Sequence, residues 1–151
     1  MKIRIAWVKA GGGRSPHIEA LAEDYAKRIG HYSPIELADY KSEEALLLSQ
    51  QKEKSKNPRA VLVLLERTGK KLTSFDLSEF IREQRELQAS TVLTFAIGPA
   101  DGFTQPAWYA ADLVLSFGPI TLPHDLARVV LLEQVYRAFT ILHGHPYHAG
   151  H

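Results

Sequence analysis

Residues 143–151 read HGHPYHAGH and carry four of the seven histidines in the sequence, His143, His145, His148 and His151, around the Pro146-Tyr147 step. Imidazoles at this density suit metal ligation, proton transfer or hydrogen bonding to a substrate. A metal site needs rings presented in fixed geometry with groups behind them, which a segment containing Gly144 and Gly150 does not promise. A purification tag is a plain run of histidines, whereas HPYH is interrupted. With no cysteine in the chain, thiolate-zinc sites, disulfides and cysteine nucleophiles are excluded.

Two loops carry a second kind of chemistry. GPADG (98–102) and FGPITLPH (117–124) each contain a Gly-Pro step and follow apolar runs that read as parallel strands. Open α/β sheets place ligands beyond the carboxyl ends of such strands. Proline-fixed loops present backbone amides and carbonyls in set directions, suited to the edge of an adenine whose face packs on an apolar wall. A pair of tight turns is the alternative. AGGGRSPH (10–17) offers Gly11 and Gly13 as G-x-G before a helix, but Pro16 stands where a third glycine belongs and no GK[ST] follows. That stretch reads as a strand-to-helix turn. Within 124–142, Arg128, Glu133 and Arg137 are polar positions on an otherwise apolar segment. Glu133 and Arg137 have the spacing of a helical ion pair, while Arg128, one turn after His124, is open to a phosphate.

These loops need elements to hold them. Residues 2–9 alternate in polarity as a first strand, and Ser15-Pro16 open a helix to about Ile29. IELADY (35–40) is a second strand. Residues 42–57 read as a weakly amphipathic helix ending in a mobile lysine-rich stretch. AVLVLLE (60–66), closed by the turn-forming TGKK, reads as a strand covered on both faces. Thr73 and Asp76 cap a helix to about Leu87. STVLTFAIG (90–98) and LVLSFG (113–118) are further buried strands, with a short helix over 105–112 between them. Pro123 opens a final helix to about Leu142. The alternation predicts an α/β fold, mostly a parallel sheet with helices on both faces, as a single domain over 1–151. The last helix is apolar around most of its circumference and must bury two faces, the second against a partner copy or inside the chain.

Composition agrees: 151 residues, 45% hydrophobic and 23% charged, make an ordinary globular chain. Its 18 basic and 17 acidic residues leave a net charge of +1, so an RNA partner cannot be inferred from charge. MKIRIAWVK is interrupted by Arg4 and does not read as a secretory signal, and no apolar run is long enough to span a bilayer. The expectation is a cytoplasmic protein without a membrane partner.

The block ITLPHDLARVVLLEQVYRAFTILHGHPYH (120–148) resembles the C-terminal signature of the SPOUT-class 23S ribosomal RNA (pseudouridine-N3) methyltransferase family. LLERTGK (64–70), FAIGPADGF (95–103) and LVLSFGPITLPH (113–124) fall in that family's order, so the resemblance covers the whole chain. It implies a C-terminal trefoil knot, an exception to the rule against threaded chains. It also implies a homodimer packed through the last helix, 23S ribosomal RNA within the ribosome as partner, and S-adenosyl-L-methionine as cofactor. Carried over by position, the cofactor contacts are Leu65, Gly98, Phe117, Gly118, Pro119, Ile120, Thr121 and Leu122. Tyr147 and His148 fall beside the target base as catalytic candidates, and His124, Arg128 and Arg137 hold RNA. No metal is implied. Residues 145–148 then become substrate-side equipment, and Ala149, Gly150 and His151 incidental.

Two positions depart from the family pattern. Pro99 replaces the second glycine of I-G-G-x-x-G and removes one backbone N–H from the loop. Ala149 stands where a basic residue is usual. Pro99 keeps a second reading open, a catalytically silent knotted RNA-binding or ribosome-assembly protein. A nicotinamide-dependent oxidoreductase is the weaker alternative.

Overall fold

The computed structural model describes residues 1–9, 14–87 and 91–149. Five strands form one parallel sheet: β1 (Lys2–Val8), β2 (Ile35–Tyr40), β3 (Val61–Lys71), β4 (Val92–Ile97) and β5 (Leu113–Ser116), in the order β2-β1-β4-β3-β5. Five helices alternate with them: α1 (Pro16–Ile29), α2 (Glu43–Lys56), α3 (Ser74–Leu87), α4 (Gln105–Ala110) and α5 (His124–Leu142). A 3-10 turn, Pro146–His148, follows. The expected parallel α/β layering with helices on both faces is observed.

Strand alternation explains the two layers. Ile3, Ile5, Val63, Leu93, Phe95 and Leu115 point to one face and pack with α1, α3 and α5. Ala6, Val8, Leu62, Leu64 and Ala96 point to the other, where Leu46 of α2 and Ala107 of α4 cover them. On that second face Arg4 is buried and joins three elements, its guanidinium 3.3 Å from Glu36 on β2 and 3.2 Å from Glu53 on α2.

Helix α5 lies between α1 and α3, and Leu131, Leu132, Val135, Ala138 and Phe139 are fully buried there. Burying each larger side chain contributes roughly 1.5–3 kcal/mol. Most of the apolar circumference of α5 is thus internal to the chain, leaving Leu126 as its exposed large apolar residue. Among the described residues, no helix is long and apolar enough to cross a membrane.

Two local expectations are corrected. The TGKK segment is not a turn: β3 continues through Lys71, with a bulge between Leu65 and Lys70 after which Lys70 and Lys71 pair with Leu115 and Ser116. Gly69 permits this, because a Cβ there would lie 2.7 Å from the Val114 carbonyl oxygen. The lysine-rich end of residues 42–57 is helical through Lys56, where Lys54 reaches Asp112 at 3.7 Å. Gly11, Gly13, Ser90, Gly150 and His151 lie outside the described residues.

Candidate active site

The carboxyl ends of β3, β4 and β5 meet around one cavity of about 730 Å³. Its walls are Leu65, Glu66 and Arg67 after β3, residues 97–102 after β4, and Phe117, Gly118 and residues 120–124 after β5, with Ala127 from α5. Of the eight positions expected to meet a cofactor, seven line it: Leu65, Gly98, Phe117, Gly118, Ile120, Thr121 and Leu122. Pro119 is not among the lining residues. Its place between Gly118 and Ile120 makes it a shaper of the loop.

The three loops are fastened to one another. The Ser116 hydroxyl donates to the Arg67 carbonyl (2.8 Å) and accepts from the Gly118 amide (2.9 Å), tying the β5 loop to the bulge of β3. Gly118 has φ +103°, a conformation that only glycine adopts without strain. In the β4 loop the Phe103 amide donates to Glu66 Oε1 at 2.5 Å, and the Phe103 ring fills the space that a Cβ on Gly98 would need. The Gly102 amide donates to the Pro99 carbonyl at 2.8 Å. Pro99 therefore sits in a closed turn that still borders the cavity, and it does not block it.

Apolar surface from Leu65, Ile97, Phe117, Ile120, Leu122 and Ala127 is joined by a small set of charges: Glu66, Arg67 and Asp101. His124 completes the wall. Burial lowers its pKa below the ordinary imidazole value, against a weaker opposing pull from Asp125. The ring is therefore neutral near pH 7. Its Nδ1 is buried without a hydrogen-bond partner among the described residues.

Behind His124 the expectation for Arg128 is revised. Arg128 is 3% exposed; its guanidinium pairs with Glu19 of α1 and lies 4.2 Å from the centroid of the Trp7 indole. A side chain so occupied is not presented to an RNA phosphate. Arg14 covers the same indole at 5.4 Å and pairs with Asp39. Helical spacing identified the face of α5 that carries Arg128 but gave no sign that Glu19 and Trp7 wait opposite it.

The histidine-rich segment forms a separate cluster on the middle of α5. The Tyr147 hydroxyl donates to Glu133 Oε1 at 3.0 Å, Arg137 pairs with the same carboxylate at 2.6 Å, and the Arg137 guanidinium lies 5.0 Å from the Tyr147 ring. Burial, then hydrogen bonding with Tyr25 and Glu133, pushes the Tyr147 phenol above its ordinary pKa. It is a neutral donor throughout the physiological range. Arg137 Nη1 donates to His148 Nδ1 at 3.0 Å, since a guanidinium has no acceptor; a neutral His148 ring then carries its proton on Nε2. The His148 ring also meets Phe75 edge-on at 4.9 Å. His143 and His145 face other partners, the Phe139 carbonyl and the Tyr147 amide. Among the described residues, no group of three His, Asp or Glu side chains is placed to hold a metal ion.

The cavity and this cluster are apart. From His124 to Arg137 the helix advances about 20 Å. The structure thus groups the expected cofactor residues in one place and Tyr147, His148 and Arg137 in another.

A family model described as a predicted SPOUT methyltransferase matches residues 1–148. The chain is 45% identical, over its whole length and the whole of the relative, to a ribosomal RNA large subunit methyltransferase H of Koribacter versatilis (strain Ellin345). It is 36% identical to the protein of the same name from Pelobacter propionicus, covering 98% of this chain and 99% of that one. Among solved structures, a probable methylase family protein from Haemophilus influenzae Rd KW20 superposes with a TM-score of 0.56 at 13% identity, over 98% of this chain and 70% of that chain. The SpoU methyltransferase AviRb from Streptomyces viridochromogenes, in complex with AdoMet, gives 0.54 at 13% identity over 89% and 56%. On these matches and the parallel sheet described above, the chain belongs to the ribosomal RNA large subunit methyltransferase H family of SPOUT methyltransferases.

Proposed function

We propose that this protein transfers a methyl group from S-adenosyl-L-methionine to N3 of a pseudouridine in 23S ribosomal RNA, acting in the cytoplasm on the assembled ribosome. The observation that carries the reading is the cavity framed by the loops after β3, β4 and β5. Its volume falls in the range of small-molecule sites, and its apolar wall with a few charges suits an adenosine joined to an amino-acid tail. Gly118 and the backbone of residues 117–122 would supply the edge contacts. Leu65, Gly98, Phe117, Gly118, Ile120, Thr121 and Leu122 would hold the cofactor, with Pro119 fixing the loop.

When bound, the cofactor supplies an electrophilic methyl group on sulfonium. The chain's own contribution is alignment of the acceptor, which accounts for roughly 7 to 11 kcal/mol of barrier in well-oriented reactions. The acceptor nitrogen must lose its proton. Tyr147, held neutral, positions the base by stacking, or by donating a hydrogen bond once its hydroxyl leaves Glu133, and is not the proton acceptor. His148 has its basic lone pair on Arg137, so proton transfer to it requires that contact to open. His124 and Arg137 remain candidates for holding RNA.

The separation of the cavity from the Tyr147–His148 cluster supports a homodimer in which one copy's cluster meets the other copy's cavity. Leu21, Phe75, Ile120 and Leu126, all exposed large apolar residues on α1, α3, α5 and the loop before α5, support an interface on that side. The C-terminal knot belongs to the same reading, supported by the family match over residues 1–148. The low net charge fits recognition by shape in an assembled particle.

Ribosomes lacking the modification, incubated with the protein and methyl-labelled cofactor, should yield N3-methylpseudouridine by nucleoside mass spectrometry. A silent protein, the reading that Pro99 keeps alive, would give neither product nor binding heat with the cofactor.

A further inference from the structure

Arg67 is the single formally cationic side chain among the described residues lining the cavity. It leaves β3 at the bulge and reaches across to the β5 loop, where its Nη1 donates to Thr121 Oγ1 at 3.3 Å. Both partners border the same cavity, so the guanidinium spans its mouth. Among the described residues, Arg67 has no carboxylate within ion-pairing distance. The nearest acid in sequence, Glu66, is engaged by the Phe103 amide. Arg67 is exposed, and its charge is not spent on folding.

A methyl donor of the proposed kind has an apolar-faced adenosine at one end and an amino acid at the other. Its carboxylate loses water on entering a cavity, and an unpaired carboxylate there is costly. A guanidinium offers a planar, bidentate match to that group. One already tethered to Thr121 also loses less side-chain freedom when it binds. Asp101, in the same wall, has the sign needed by the ammonium of the same tail.

We propose that Arg67 is a cofactor-binding residue whose guanidinium, held across the cavity mouth by Thr121, takes the carboxylate of the methyl donor's amino-acid tail. This rests on the cavity being the S-adenosylmethionine site.

The test is calorimetry on wild type, Arg67→Gln and Arg67→Lys with two ligands that differ only in this group, S-adenosylmethionine and decarboxylated S-adenosylmethionine. Thermal melts confirm that the variants are folded. For S-adenosylmethionine, Arg67→Gln should weaken binding about tenfold, the loss expected for a charge-assisted contact partly open to solvent. Arg67→Lys should weaken it less. For the decarboxylated ligand, wild type and Arg67→Gln should bind equally. An equal loss for both ligands overturns the proposal. So does unchanged affinity for S-adenosylmethionine with a raised KM for ribosomes, which would make Arg67 an RNA contact. Absence of S-adenosylmethionine binding by wild type itself overturns the reading of the cavity, and this proposal with it.

Discussion

Three neighbouring side chains in and behind the cavity wall each keep a buried polar atom without a hydrogen-bond partner among the described residues: Trp7 Nε1, His124 Nδ1 and Arg128 Nε. Buried polar groups are usually satisfied, and each lost partner costs about 1–3 kcal/mol. The offset comes from the Arg128–Glu19 ion pair and from the contacts of two guanidiniums with the Trp7 ring. For His124 the consequence is a pH dependence. Burial lowers its folded-state pKa below the unfolded value of 6.5, so the unfolded chain binds the proton more tightly. Its contribution to stability is fully present above about pH 6.5. It is lost as pH falls through the folded-state pKa. Urea unfolding between pH 5 and 8 should show wild type losing stability toward acid more steeply than His124→Asn, and parallel curves would contradict the burial account. His124 was legible in the sequence as a polar residue beside the LPH turn, but its neutrality was not. That property comes from burial, and one neighbour, Trp7, lies far away in the sequence with its ring centroid 6.2 Å from that of His124.

At the scale of elements, the cavity is a product of three strand ends, and its sharpest dependence is on the bulge in β3. The apolar run 60–66 announced a buried strand, and Thr73 with Asp76 announced the start of α3; their reciprocal hydrogen bonds at 3.1 and 2.9 Å are a capping box. TGKK carried turn-forming residues and was read locally as a turn. The competing force was not local: Lys70 and Lys71 find pairing partners on β5, and Gly69 lets the two backbones close up. In the same way, the lysine-rich end of α2 read as a mobile stretch, but Glu53 and Lys54 there meet Arg4 and Asp112. Gly69→Ala should therefore cost about 1–3 kcal/mol, as overpacking does elsewhere. The added methyl meets Val114 backbone that cannot rotate away. Because Leu65, Arg67 and the Ser116 tie lie on the same bulge, the variant should also bind S-adenosylmethionine more weakly. A chemical-denaturation midpoint and a cofactor titration on one preparation check both. Loss of stability with intact affinity would show the bulge to be independent of the cavity.

At the scale of the whole molecule, the apolar circumference of α5 turned out to be a weaker guide to assembly than the position of the last described residues. The sheet, α1 and α3 cover most of that helix within one chain, so its hydrophobicity alone does not demand a partner. The distance supports one. Tyr147 and His148 are anchored to Glu133 and Arg137, about 14 and 20 Å of helix beyond His124, and in the proposed arrangement they serve a methyl donor in the cavity of another copy. A homodimer of 16.9 kDa chains should sediment at twice that mass, and its melting temperature should rise with protein concentration. Complementation separates the two arrangements. Leu122→Trp fills the cavity but keeps the tail cluster, whereas His148→Ala keeps the cavity and removes the imidazole. Each alone should lose methyl transfer. Mixed after unfolding and refolding together, they should regain activity, because a mixed dimer pairs one intact cavity with the other chain's intact cluster. If each chain used its own cluster, no mixed species would hold both parts of a working site, and the mixture would stay as inactive as its components.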